Sequence, residues 1–295
     1  MLSAELMRQF RRLQIRARRV VQSLLEGQYH SVFKGSGLSF EDVREYQPGD
    51  DVRSIDWNVT ARIGHPFVKR FVEERELTVL LVADLSGSQR FGSALQSKRS
   101  VMGELAALIA FSAVSNNDRV GLIAGGDAVE RFVPPGKGPR HTLRVLRDVL
   151  FFEPQSPGTS LRGLLDFLNR VQRRRAIVFL FSDFLDTGYE NAFRIAGRFH
   201  DLIAVCVRDP REEELPDVGL VQLQDAETGR QWLADTADAK LRAAFAAQGR
   251  KRREDLRRLA RSAQVDLIEA ATDGGHFEAL VRFFRMREHR QMRGA

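Results

Sequence analysis

Between residues 77 and 271 the chain alternates short, nearly unbroken apolar runs with segments whose apolar residues return every three or four positions. Leu77-Thr-Val-Leu-Leu-Val-Ala83 has strand length and no polar alternation, the pattern of a strand buried on both faces. Val101, Met102, Leu105, Leu108 and Ile109 then share one helical face. Arg119-Val-Gly-Leu-Ile-Ala124 is a second strand, and Gly125-Gly-Asp127 reads as a tight hairpin turn into Ala128–Val133. Helices are predicted over about 139–151, 160–172 and 189–199, with buried strands at Ala176–Phe181 and Leu202–Val207. Val218–Leu223 and Arg230–Ala234 flank Glu227-Thr-Gly229 as a hairpin expected at the sheet edge. An Arg-rich helix over about 237–263, a strand near Val265–Ile268 and a helix carrying Phe277, Leu280, Val281 and Phe284 follow. Strands separated by helices predict an α/β architecture with a mostly parallel central sheet covered on both faces, spanning residues 77–295.

The first 76 residues follow other rules. Leu6, Phe10, Leu13, Ala17, Val20 and Leu24 form one stripe of an N-terminal amphipathic helix over residues 1–30, with arginines on its other faces. Such a helix can lie on a membrane, but packing of the stripe on its own domain is the expected outcome. Residues 31–76 carry turn chemistry at Gly35-Ser-Gly37 and Gln47-Pro-Gly-Asp-Asp51, and short mixed runs at Ser54–Val59 and Pro66–Val72. They predict irregular structure with a few short strands, packed on the main domain without a core of their own. The segment is dense in potential ion pairs, from Glu41 to Glu76. Trp57 can be an exposed partner anchor or a core residue; the general burial of large aromatics favours the core.

Charge and composition narrow the class. Residues 1–34 hold seven Lys/Arg against two Asp/Glu and residues 236–295 fourteen against eight, so the net +7 lies at the two ends of a slightly acidic middle. Basic ends can contact nucleic acid or an anionic surface. No interleaved aromatic pattern accompanies them, which points to solvated helix faces instead. The longest apolar stretch, Glu104–Val114, is too short for a membrane span, and no secretory signal is evident. A lone Cys206 excludes an internal disulfide and a multi-cysteine metal cluster. A cytoplasmic location is the expectation, so the sequon Asn58-Val-Thr60 carries no meaning.

The chemistry concentrates at strand ends. The first buried strand runs into Asp84-Leu-Ser-Gly-Ser88, at the position where open α/β sheets hold their ligands. Gly158-Thr159-Ser160 opens a helix, and Phe181-Ser-Asp183 ends another buried strand, so Asp183 should emerge beside Asp84. Asp84, Ser86, Ser88, Thr159 and Asp183 would then present five hard oxygen donors, suited to Mg²⁺ or to Mn²⁺ or Ca²⁺ and poor for zinc or copper. If the neutral hydroxyls bind directly and the carboxylates act mainly through water, the ion keeps enough charge to attract an outside carboxylate. Ordinary capping explains each residue singly, but not their shared position.

These residues resemble a known family. DLSGS, Thr159 and the strand-end Asp183 are similar to the metal-ion-dependent adhesion site of von Willebrand factor A domains. The stretch from Gly35 to Glu76, GSGLSFEDVREYQPGDDVRSIDWNVTARIGHPFVKRFVEERE, resembles the signature of a bacterial branch catalogued as domain of unknown function 58. DPREEELPDVGLVQLQDAETGRQWLADT, from Asp209 to Thr236, looks like the same branch. The resemblance implies a Rossmann-like von Willebrand factor A fold and a metal held by the five residues. It also implies genetic association with MoxR-type AAA+ ATPases, as chaperone or metal-insertion partners.

Two function classes follow. The first is a non-enzymatic interaction module whose bound ion is completed by an Asp or Glu of a protein partner, with Trp57, Gly87 and Gly158 as candidate partner contacts. The second is a Mg²⁺-dependent phosphoesterase or nuclease, or a nucleic-acid binder using the basic termini. Asp84-Leu-Ser86 lacks a second carboxylate two residues on, and no general base is evident, which ranks the enzyme second. The six histidines are scattered without metal-ligand spacing. Pro134-Pro-Gly-Lys-Gly-Pro139 lacks the phosphate-loop pattern and is expected to be a loop. Cys206 lies in an apolar strand and is expected to be inert.

Overall fold

The computed structural model describes residues 15, 29, 32–33, 39–72, 76–94 and 96–294. The stripe from Leu6 to Leu24 and the turn at Gly35–Gly37 lie outside the described residues. The chain divides into two units, one of residues 33–77 and one of the remainder.

In the smaller unit, β1 (Ser39–Glu45) pairs antiparallel with β2 (Phe67–Val72). Between them the Gln47–Asp50 turn closes with Gly49 at φ +110° and Asp50 accepting from the Gln47 amide at 2.9 Å. Arg44 grips Asp50 through two nitrogens, at 2.6 and 2.8 Å. The run Ser54–Val59 is not a strand. Asp56 caps the amides of Asn58 and Val59 and starts the helix α1 (Trp57–Ile63), which ends at Gly64 in the left-handed region. Trp57 corrects the expectation of a core residue: it is 66% exposed. It is the first residue of a helix under two turns long that buries none of its side chains, so no apolar stripe turns it inward.

The larger unit is built on a six-stranded sheet. Its strands are β3 (Thr78–Asp84), β4 (Arg119–Gly125), β5 (Val129–Gly136), β6 (Ile177–Ser182), β7 (Asp201–Arg208) and β10 (Asp266–Ala271). The spatial order is β10-β7-β6-β3-β4-β5, parallel throughout except for the β4–β5 hairpin. The helices between them are α2 (Lys98–Ser115), α3 (Pro139–Phe151), α4 (Leu161–Val171), α5 (Glu190–Phe199), α6 (Ala239–Ser262) and α7 (His276–Gly294). Side-chain alternation divides the core. Leu80 and Val82 of β3, with Val178 and Leu180 of β6, meet Leu161, Leu164, Leu165 and Leu168 of α4 and Phe193 of α5 on one face. Each such side chain contributes about 1.5–3 kcal/mol by leaving water. Against the sheet lies also α2, flanked by α3 and α7 and buried almost all round from Lys98 to Ala113. That burial explains the apolar stretch 104–114. Among the described residues no helix is long and apolar enough to cross a membrane.

Two edge assignments differ from expectation. The hairpin β8 (Leu220–Gln224) and β9 (Gln231–Asp235) forms its own two-stranded sheet and leaves the central sheet's edge to β10. Gln222, Gln224 and Gln231 alternate with its apolar residues, a pattern suited to a half-solvated ribbon. Pro134-Pro-Gly136 is the end of β5 and not a loop. Prolines are tolerated there because β5 is an edge strand and half its backbone needs no partner.

Candidate functional site

From β3 the chain proceeds to β4 on one side, whereas from β6 it proceeds to β7 on the other. The carboxyl ends of β3 and β6 therefore flank the switch point of the sheet, where diverging connections leave a crevice. Ala83 pairs with Phe181, so the next residues, Asp84 and Ser182, emerge side by side.

Hydrogen bonds join the strand ends. Asp84 Oδ2 accepts from Ser182 Oγ at 2.7 Å, and its Oδ1 accepts from the Ser86 amide at 3.0 Å. Ser86 Oγ lies 3.2 Å from Ser88 Oγ, and Ser88 Oγ donates to Asp183 Oδ2 at 2.6 Å. Four of the five residues nominated from sequence thus form one contiguous cluster: Asp84, Ser86, Ser88 and Asp183. Asp84 and Ser86 are wholly buried. The fifth, Thr159, does not hydrogen-bond to these four. Its loop is tied to theirs by the Gly87 amide, which donates to the Pro157 carbonyl at 2.8 Å, and to the β4–β5 turn by the Ser160 amide, which donates to the Gly126 carbonyl at 2.9 Å. Thr159 Oγ1 donates to Glu227 Oε1 in the β8–β9 turn. Gly87 leaves no room for a side chain, because a Cβ there would overlap the Ala226 carbonyl oxygen. Gly158 packs beside Asp127, whose Cβ would lie 3.3 Å from an added methyl. Trp57 belongs to the smaller unit.

Lys98 also joins the cluster, although no motif in the sequence marks it. It is the first residue of α2, wholly buried, with Nζ 2.6 Å from Asp183 Oδ2 and also bonded to Glu212. A cation at a helix N-terminus opposes the helix dipole. A lysine opening an apolar helix was therefore the available signal that carboxylates wait nearby. Burial alone would lower the Lys98 pKa; Asp183 and Glu212 together outweigh it and hold the ammonium above its ordinary value. Burial pushes Glu212 upward despite the pull of Lys98, a lysine that Glu212 shares with Asp183.

The charge balance of the cluster is unfavourable. Burial, and then the repulsion of Asp183, push Asp84 up to about 7. Among the described residues Asp84 has no basic partner. Glu227 is raised too, first by burial and then by Asp183, Asp225 and Asp186. Gln89, in the turn after Ser88, is wholly buried with neither amide atom hydrogen-bonded among the described residues. Asp84, Asp183 and the hydroxyls of Ser86 and Ser88 are hard oxygen donors, the kind a divalent cation such as Mg²⁺ prefers. Among the described residues there is no group of three or more His, Cys, Asp or Glu side chains placed to hold a metal. Any ion at this crevice would depend on the serine and threonine hydroxyls.

The likeness to known proteins runs along most of the chain. Over 292 residues it is 37% identical to an uncharacterized protein of Mycobacterium tuberculosis, covering 96% of this chain and 90% of that protein. An uncharacterized protein of Mycobacterium avium is 34% identical over 167 residues, covering 54% of this chain and 96% of that one. Among solved structures, the conserved hypothetical protein BatB from Bacteroides thetaiotaomicron aligns at 13% identity with a TM-score of 0.44, covering 72% of this chain and 98% of that chain. The family described as "Protein of unknown function DUF58" matches residues 42–255, and the chain belongs to it.

Proposed function

We propose that this chain is a von Willebrand factor A-like interaction module. Asp84, Ser86, Ser88, Thr159 and Asp183 hold a divalent ion, Mg²⁺ by preference, with Asp84 acting chiefly through hydrogen bonds. The ion's chemistry is that of a Lewis acid presented at a protein surface, able to accept an Asp or Glu of a partner. The supporting observation is the hydrogen-bonded run Ser182–Asp84–Ser86–Ser88–Asp183 across the switch point, in which a wholly buried carboxylate has no basic partner among the described residues. The partner proposed is a MoxR-type AAA+ ATPase, on the resemblance of the sequence, with a role in protein assembly or maturation.

The test is capture of a cognate MoxR-type ATPase by the immobilised chain. Capture should require Mg²⁺ or Mn²⁺, disappear in EDTA, and fall in Asp84→Ala and Ser86→Ala variants that keep their helical circular dichroism. Capture indifferent to EDTA and to both substitutions would show that the ion has no part in the interaction.

A further inference from the structure

The β8–β9 turn brings a carboxylate of the chain itself to the candidate ion site. Glu227 Oε1 accepts the hydroxyl hydrogen of Thr159, the same hydroxyl whose lone pairs are nominated for the metal. The turn is held in place. The Glu227 and Thr228 amides donate to Asp225 Oδ1 at 2.8 and 3.1 Å, and the Gly229 amide donates to the Asp225 carbonyl at 2.9 Å. Ala226 seats its carbonyl against Gly87, inside the Asp84–Ser88 loop, where only a residue without a side chain fits. Glu227 is half-buried, and among the described residues it has no lysine or arginine partner. Burial, and after it the charges of Asp183, Asp225 and Asp186, hold its carboxyl above the ordinary value. Asp84, wholly buried, likewise has no cationic partner among the described residues. A cation between Thr159 and the Asp84–Ser88 loop would lie within reach of the Glu227 carboxylate that now accepts from Thr159.

We propose that Glu227 is an internal carboxylate ligand of the divalent ion, taking the outward coordination position that a partner's Asp or Glu can occupy only by displacing it. The inference rests on the adhesion-site reading and adds a residue and a competition to it. The hairpin turn can shift without breaking the central sheet. It shares no strand pairing with the central sheet, and Leu220 and Leu233 on one of its faces are 73% and 74% exposed. Its turn is held to the ion loops by contacts of Glu227 and Ala226, and a competing carboxylate would take the place of Glu227.

Mn²⁺ binding to the full chain distinguishes the outcomes. Free Mn²⁺ is counted by electron paramagnetic resonance, and water in the inner coordination sphere by proton relaxation. The wild type should bind one ion, and Mn²⁺ should slow amide exchange across residues 225–229. Asp84→Ala should lose the ion. Glu227→Ala should bind it about tenfold more weakly, with one more bound water, and Glu227→Gln should fall between. If Asp84→Ala loses the ion while Glu227→Ala keeps wild-type affinity and water number, the role of Glu227 is refuted and the site stands. If the wild type binds no Mn²⁺, or Asp84→Ala binds it equally, both readings fail. The exchange measurement on the unaltered chain guards against misfolding of a variant: no slowing at the turn with Mn²⁺ bound counts against the role of Glu227.

Discussion

Asp84→Asn should make the metal-free protein more stable at neutral pH while abolishing its response to Mg²⁺. In the unfolded chain this carboxyl ionises near its ordinary 3.8, whereas burial and Asp183 push it up to about 7 in the fold. A carboxyl raised in the folded state stabilises in its protonated form. Its contribution is complete below about pH 4 and is lost as pH rises through about 7. Three units of displacement correspond to about 4 kcal/mol lost across that window. Asparagine carries no charge, so it escapes the loss. It still accepts from the Ser86 amide, but its amide nitrogen must donate toward Ser182 Oγ, reversing the 2.7 Å bond and leaving that hydroxyl hydrogen without its acceptor. The reversal costs about 1–2 kcal/mol at every pH. The variant should therefore be about 1–2 kcal/mol less stable than wild type near pH 4, cross it as pH rises, and exceed it by about 2–3 kcal/mol near pH 8. Urea unfolding in EDTA at intervals of pH measures both curves. Mg²⁺ should raise the wild-type midpoint and leave the variant unmoved. Parallel stability curves, with no crossing, would refute the claim that Asp84 is an uncompensated buried anion.

Three further outcomes test other parts of the structure. Lys98→Met leaves Asp183 and Glu212 without their shared, wholly buried cation, and should cost about 3–5 kcal/mol in urea near neutral pH while tightening Mn²⁺ binding. A variant as stable as wild type would show that the ammonium is dispensable. Phe193→Ala opens a cavity in the cluster where Phe193 meets Tyr189 and Phe184 at ring centroids 6.2 and 6.4 Å apart. It should lose about 3–5 kcal/mol of stability with Mn²⁺ affinity of the folded fraction unchanged. Burial pushes the Cys206 thiol up to about 12, so a thiol reagent should label it only on unfolding, and rapid labelling of the native protein would contradict its place in β7.

How far the sequence was legible depends on the range of the interaction involved. The parallel strands were readable because burial on both faces removes polar residues from the run itself, as in Leu77–Ala83 against the observed Thr78–Asp84. The helix over Pro139–Phe151 was readable because its apolar stripe is local. The hairpin at 220–235 was readable as a hairpin but not as a separate sheet. Trp57 was misplaced because its burial depends on what its short helix faces and not on the size of its ring.

The sequence by itself determined the α/β alternation, the carboxylate at the end of β3 and its partner beyond β6, since each follows from periodicity within ten or so residues. Only the tertiary structure decided what surrounds them. Lys98 reaches Asp183 across 85 positions, and Glu227 reaches Thr159 across 68. Contacts so distant along the chain leave no periodic trace. They exist because the crossover connections of the sheet carry separate loops to one crevice, where burial makes every charge answer to its neighbours.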